Sequence, residues 1–176
     1  MKKLILLVIV LIAPIQIGFS QTAASLKNDL QKFYTSFNDI DLEAIAASLC
    51  SNSTQKELYD QLDQYFLNDN SKFRYVFTTV KYNIGPLTNK NGEQVTLVNF
   101  RNVIRVTYFK PIEVAKMQAE LKQRYGAQTI TYEKKRNAFL IVYNARLMAI
   151  TSGKTWKFKF LDNTLPDGIN STCGFE

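Results

Sequence analysis

Apolar residues recur at helical spacing between Ala23 and Phe37: Leu26, Leu30, Phe33 and Phe37 fall on one side, and Lys27, Asn28, Asp29 and Lys32 on the other. This predicts a first helix. The Asn38-Asp39-Ile40-Asp41 step breaks the pattern, and Asp41 is suited to cap a second helix carrying Leu42, Ile45, Ala46 and Leu49. Cys50 to Ser53 ends that helix. Ser53 or Thr54 then opens a third, which runs to Leu67 with Leu58, Leu62, Tyr65 and Phe66 on its apolar side and Glu57 as a capping-box partner. The polar cluster Asn68 to Ser71 closes the helical part.

From Phe73 the period changes to two, and aromatic and β-branched residues dominate. Phe73 to Ile84 reads as one long strand and Val95 to Phe109 as its antiparallel partner, across a polar loop containing Asn89, Asn91 and Gly92. Pro111 opens a helix that continues to Tyr125 and stops at Gly126. Thr129 to Glu133, Ala138 to Thr151 and Lys154 to Leu161 read as further strands, with Ser152 and Gly153 in the turn between the last two. The tail from Asp162 to Glu176 reads as irregular. Helices followed by mostly antiparallel strands, with one helix inserted between strands, define an α+β fold. Val98, Phe100, Ile104, Val106 and Tyr108 share one sheet face with Asn102, while Arg101 and Arg105 share the other with Val103. Trp156, Phe158 and Phe160 oppose Lys157 and Lys159 in the same way. The sheet is thus expected to bury one face under helices and to present a partly basic outer face. The strand from Ala138 to Thr151 is apolar on both sides and belongs in the middle.

Met1 to Ser20 stands apart from this pattern. Lys2 and Lys3 precede an apolar run from Leu4 to Ala13, and small residues Gly18 and Ser20 follow, the order of a cleaved secretory signal peptide. Pro14 and Gln16 interrupt the run before it reaches the length of about 20 residues that spans a bilayer. The expectation is an exported protein, periplasmic or secreted, whose single mature domain covers 21–176 and does not insert in a membrane. Removing Lys2 and Lys3 takes two of the 22 Lys and Arg away and none of the 15 acids, so the formal charge falls from +7 to +5. The tightest basic run, Lys134-Lys135-Arg136, sits at a turn, and nucleic acid is not an expected partner. Two cysteines, Cys50 and Cys173, permit one disulfide in an exported chain; the alternative is two free thiols.

The chain contains no histidine. That removes the usual general base near neutral pH, the Ser-His and Cys-His nucleophile pairs, and imidazole metal ligands. No cofactor is expected. Asp39 and Asp41 stand at a helix start, where capping explains them better than a metal or acid/base pair. Glu93 and Glu133 are isolated acids near turns. Gly153-Lys154-Thr155 lacks the first glycine of a phosphate-binding loop and lies between strands. Asn52-Ser53-Thr54 and Asn170-Ser171-Thr172 match the glycosylation pattern, which matters only in a eukaryotic secretory route.

Phe33-Tyr34-Thr35-Ser36-Phe37-Asn38-Asp39-Ile40-Asp41-Leu42-Glu43-Ala44-Ile45-Ala46 resembles the opening of nuclear transport factor 2-like domains: an aromatic helix, a short Asn/Asp step, and a second helix at an acidic cap. Leu147 to Ile150, a turn, and Lys154-Thr155-Trp156-Lys157-Phe158 are similar to the last hairpin of exported members of that superfamily. The resemblance implies a cone-shaped α+β roll enclosing a pocket, in a superfamily that includes enzymes, ligand binders and scaffolds. Its ketosteroid-isomerase-like members work with a buried acid and Tyr, but that set does not align onto this chain. Its histidine-dependent dehydratases are excluded by composition. The expected role is therefore a non-enzymatic domain that binds a small apolar or amphipathic ligand, or a protein partner, in its concave face. Tyr75, Tyr108, Tyr143 and Trp156 are the candidate ligand-binding residues; the competing reading is ordinary core packing. Two alternatives remain: an isomerase or lyase using Asp/Glu and Tyr, and an assembly module, including a homodimer, acting through the basic outer face of Arg101, Arg105, Lys157 and Lys159.

Overall fold

Thr54 begins a helix by accepting a hydrogen bond from the Glu57 backbone N–H, while the Glu57 carboxylate accepts from the Thr54 N–H in return. This reciprocal cap fixes the start of α3, Gln55–Phe66. Asp41 does the same for α2, Leu42–Ser48, by accepting from Ala44 N at 3.0 Å. Ahead of both lies α1, helical over 23–39. The computed structural model describes residues 23–76, 80–151, 155–166, 169 and 173. The signal-peptide reading, the turn at Ser152 and Gly153, and the Asn170 sequon fall outside the described residues.

The strands are β1 (Ser71–Tyr75), β2 (Asn83–Ile84), β3 (Thr88–Lys90), β4 (Glu93–Tyr108), β5 (Thr129–Glu133), β6 (Ala138–Thr151) and β7 (Lys157–Phe160), with α4 (Val114–Tyr125) between β4 and β5. All seven join one open sheet whose strand pairs are antiparallel. The long strands β4 and β6 form its spine, paired from Gln94 opposite Thr151 to Thr107 opposite Ala138. Successively β1, β2 and β3 occupy the free edge of β4, and β5 and β7 share that of β6. The chain is thus an α+β protein.

The expected single strand from Phe73 to Ile84 is instead broken. Tyr75 faces Ile104 and Asn83 faces Asn99, so the register against β4 shifts by three residues between the two segments, and one continuous ladder cannot hold both. A second interruption follows at Gly85-Pro86, where proline has no N–H to give the ladder. Gly85 fits because a Cβ there would stand 3.2 Å from the Leu97 carbonyl oxygen. The polar loop expected after Ile84 itself contains β3, which turns into β4 through Asn91 and Gly92, both at positive φ (55° and 83°). Likewise α4 begins at Val114 rather than at Pro111, and β7 at Lys157 rather than Lys154. Gly126 ends α4 in the left-handed conformation, as its sequence position predicts.

Burial follows the alternation. In β4, Thr96, Val98, Phe100, Asn102, Ile104 and Val106 are buried while Leu97, Asn99 and Arg101 are exposed. The helices meet the sheet on the buried face: Phe33 of α1 stacks on Phe158 at 4.6 Å, Phe66 of α3 meets Phe73 at 6.1 Å, and Tyr125 of α4 lies 5.2 Å from Tyr143. Cys50, whose N–H donates to the Phe158 carbonyl, is bridged to Cys173 with a Cα separation of 5.0 Å. This ties the tail to the end of α2 and to β7. Among the described residues no helix is long and apolar enough to cross a membrane.

Candidate functional site

Between α3 and α4 the helices part, leaving an open cavity of about 680 Å³ over the end of the buried sheet face. Its floor is Phe73 and Val106, paired across β1 and β4, together with Tyr108. One wall is the face of α3 formed by the i, i+4 pairs Asp60/Gln64 and Gln61/Tyr65; the other is Leu121, Arg124 and Tyr125, which the helical period of α4 brings to one side. Pro166 and Ile169 of the tail form a third wall. The surface is therefore apolar below and hydrogen-bonding at the rim.

Beneath the cavity runs a buried polar chain. Tyr65, half-buried, donates to the Thr164 carbonyl at 2.9 Å. The Thr164 hydroxyl donates to the Asp162 carboxylate, so the Tyr143 hydroxyl must be the donor in its 2.9 Å bond to Thr164 Oγ1. Tyr143 in turn accepts from Asn102 Nδ2 at 2.8 Å, and Asn102 Oδ1 accepts from the Tyr34 hydroxyl at 3.2 Å and from Val103 N at 2.9 Å. Asp162 also accepts from Arg146 N at 2.7 Å, which fixes the tail against β6. Asn102, fully buried on an apolar strand face, is thus satisfied through both ends of its amide.

Burial governs the phenols. It pushes Tyr65, Tyr75 and Tyr143 well above the ordinary tyrosine value, raises Tyr125, and brings Tyr108 to about 12. The Arg124 charge opposes this rise at Tyr65, Tyr108 and Tyr125. These hydroxyls stay protonated at neutral pH, which suits them to donate hydrogen bonds and not to act as bases; Tyr65 and Tyr143 do donate, to Thr164. Glu57 and Glu133 are held below the usual carboxylate range, by bonds to Thr54 and Arg105 respectively. That is the reverse of what a desolvated general acid requires. Asp60, the carboxylate on the cavity wall, is exposed. Among the described residues, no three His, Cys, Asp or Glu side chains are grouped so as to hold a metal ion.

The four candidate aromatics separate in space. Tyr108 lines the cavity. Tyr143 lies beneath it in the polar chain. Tyr75 is packed among Tyr34, Phe37 and Phe73, with ring centroids 4.8 to 5.8 Å away, and its buried hydroxyl has no partner among the described residues. Trp156 is at the other end of α1, donating from Nε1 to Ser25 Oγ at 3.1 Å. On the outer face, Arg105 is paired with Glu133 at 2.7 Å, Lys157 donates to the Ala47 carbonyl, and Arg101 is exposed. The Lys134–Arg136 run forms an exposed 3₁₀ turn. Tyr65, Leu121, Arg124 and Tyr125 were not among the expected site residues. Their only sequence trace is the grouping of each helix's set on one side; which sides face each other across a gap is a tertiary fact.

Fold and site together define an α+β domain with a helix-walled cavity on the covered face of an open antiparallel sheet. Neither the protein-family models nor the curated proteins provide a match to this chain.

Proposed function

We propose that this protein is a non-catalytic binding domain that takes a small amphipathic ligand into the cavity between α3 and α4. The carrying observation is the cavity itself: about 680 Å³, with Phe73, Val106 and Leu121 inside and polar side chains at the rim, within the usual size range of small-molecule sites. The helices over one sheet face support reading it as a nuclear transport factor 2-like roll, with α4 as an insertion. The Cys50–Cys173 bridge is compatible with an exported protein. Titration with the neutral fluorophore N-phenylnaphthylamine tests the site. Binding is expected in the wild type and lost in Leu121→Trp, which fills the cavity. Equal binding by a folded Leu121→Trp variant would refute this location.

A second reading draws on the outer face, where Leu97 is 46% exposed, on the same side of β4 as Arg101 and in one cross-strand row with Met148 of β6 and Lys159 of β7. An acidic protein partner, or a second copy, would meet the sheet there. Sedimentation of the purified protein distinguishes a dimer from a monomer, and Leu97→Glu should dissociate any dimer formed through this face.

A further inference from the structure

The cavity wall carries one cation whose charge is not neutralised within the described fold. The described ion pairs engage Lys32, Arg105 and Arg136, all elsewhere. Arg124 makes none among the described residues; its guanidinium lies 5.2 Å from the centre of the Tyr125 ring. The ring contact keeps the guanidinium beside the cavity, none of its N–H donors is engaged in a hydrogen bond among the described residues, and a guanidinium edge matches an acidic head with two parallel N–H donors. Across the floor, Tyr108 also lines the cavity, and its hydroxyl makes no hydrogen bond among the described residues. Acids are present as well: Asp60 lines the α3 wall and is exposed to solvent, while Glu120, which acts on Tyr108, and Asp162, which acts on Tyr125, are not part of the lining.

Resting on the reading of this cavity as the binding site, we propose that its ligand is an amphipathic anion, with the acidic head between the Arg124 guanidinium and the Tyr108 hydroxyl and the apolar body against Phe73, Val106 and Leu121. The same arrangement disfavours an amine of similar shape, which would meet the guanidinium with like charge. Protonated phenols supply donors that an anion accepts, and the buried side of the cavity supplies apolar area for a short acyl or aryl body.

A matched pair of probes tests the head group. Anilinonaphthalene sulfonate and N-phenylnaphthylamine share one aromatic skeleton and differ by the sulfonate. Affinities for both are measured by fluorescence titration on the wild type, Arg124→Gln and Tyr108→Phe, with circular dichroism confirming the fold. Loss of a charge-assisted pair should lower the sulfonate-to-neutral affinity ratio about tenfold or more in Arg124→Gln, with a smaller fall in Tyr108→Phe. An unchanged ratio in Arg124→Gln, with both probes still binding, overturns the anion assignment and leaves the cavity reading standing. Failure of both probes to bind the wild type overturns the cavity reading, and the proposal with it.

Discussion

Replacing Tyr143 and Tyr75 by Phe removes the same hydroxyl from two buried positions, 1% and 4% exposed, whose hydrogen bonding is opposite. At Tyr143 the hydroxyl accepts from Asn102 Nδ2 at 2.8 Å and donates to Thr164 Oγ1 at 2.9 Å. Its loss leaves a fully buried amide donor without an acceptor, and the expected cost is about 2 kcal/mol, within the range for one unsatisfied buried group. At Tyr75 the hydroxyl is already unpartnered among the described residues, so deleting it relieves a desolvated group. The expected effect there lies between zero and a gain of about 1 kcal/mol. Urea denaturation followed by circular dichroism reads both. With a slope of about 2 kcal/mol/M, Tyr143→Phe lowers the midpoint by about 1 M while Tyr75→Phe holds or raises it. Equal losses, or a larger loss at Tyr75, would refute the hydrogen-bond assignment on which the argument rests.

Three further outcomes are expected. Replacing Cys50 and Cys173 by Ser opens a loop of sequence separation 123, for which chain entropy gives a loss of about 5 kcal/mol; an unmoved urea midpoint would contradict it. Glu133 is held below the usual glutamate range chiefly by Arg105, so its stabilisation is present above the unfolded pKa of about 4.3 and disappears as pH falls through the lower folded value. Arg105→Met should therefore raise the Glu133 carboxyl titration seen by NMR, and the stability gap from wild type should be wider at pH 7 than at pH 3. Asp41→Ala should cost about 1 kcal/mol through loss of the bond to Ala44 N, whereas Asp39→Ala, which removes only an exposed contact with Asn38, should not; equal thermal shifts would contradict the capping assignment.

The elements that were legible in sequence owe their limits to local chemistry. The Thr54–Glu57 box, the Asp41 cap and Gly126 each act within a few residues of where they stand. The ends of β5 and β6 were equally plain because the charged run Lys134-Lys135-Arg136, which reads as a turn, separates the alternating Thr129–Glu133 segment from the apolar run that starts at Ala138. The break after Tyr75 was not legible, since it depends on which β4 residues the later strands meet. Asn91-Gly92 did carry a local sign of a tight hairpin, but a polar run such as Thr88 to Lys90 has no apolar alternation to mark it as a strand. In the site, alternation put Tyr108 on the covered face, yet the same alternation could not separate a cavity-lining tyrosine from the buried Tyr143. Arg124 was illegible because an exposed helical arginine looks the same whether it faces bulk water or a cavity.

Asn102 has a consequence beyond its own hydrogen bonds. A strand of alternating apolar residues can slide two places along its neighbour and still bury the correct side, so β4 and β6 need some mark of alignment. In the native pairing Asn102 stands directly opposite Tyr143, its hydrogen-bond partner. A two-place slip would put it against Ile141 or Ala145, whose side chains accept no hydrogen bond. One amide in the middle of the spine thus acts as an index pin, making a single alignment of two otherwise interchangeable hydrophobic ribbons lower in free energy than its neighbours.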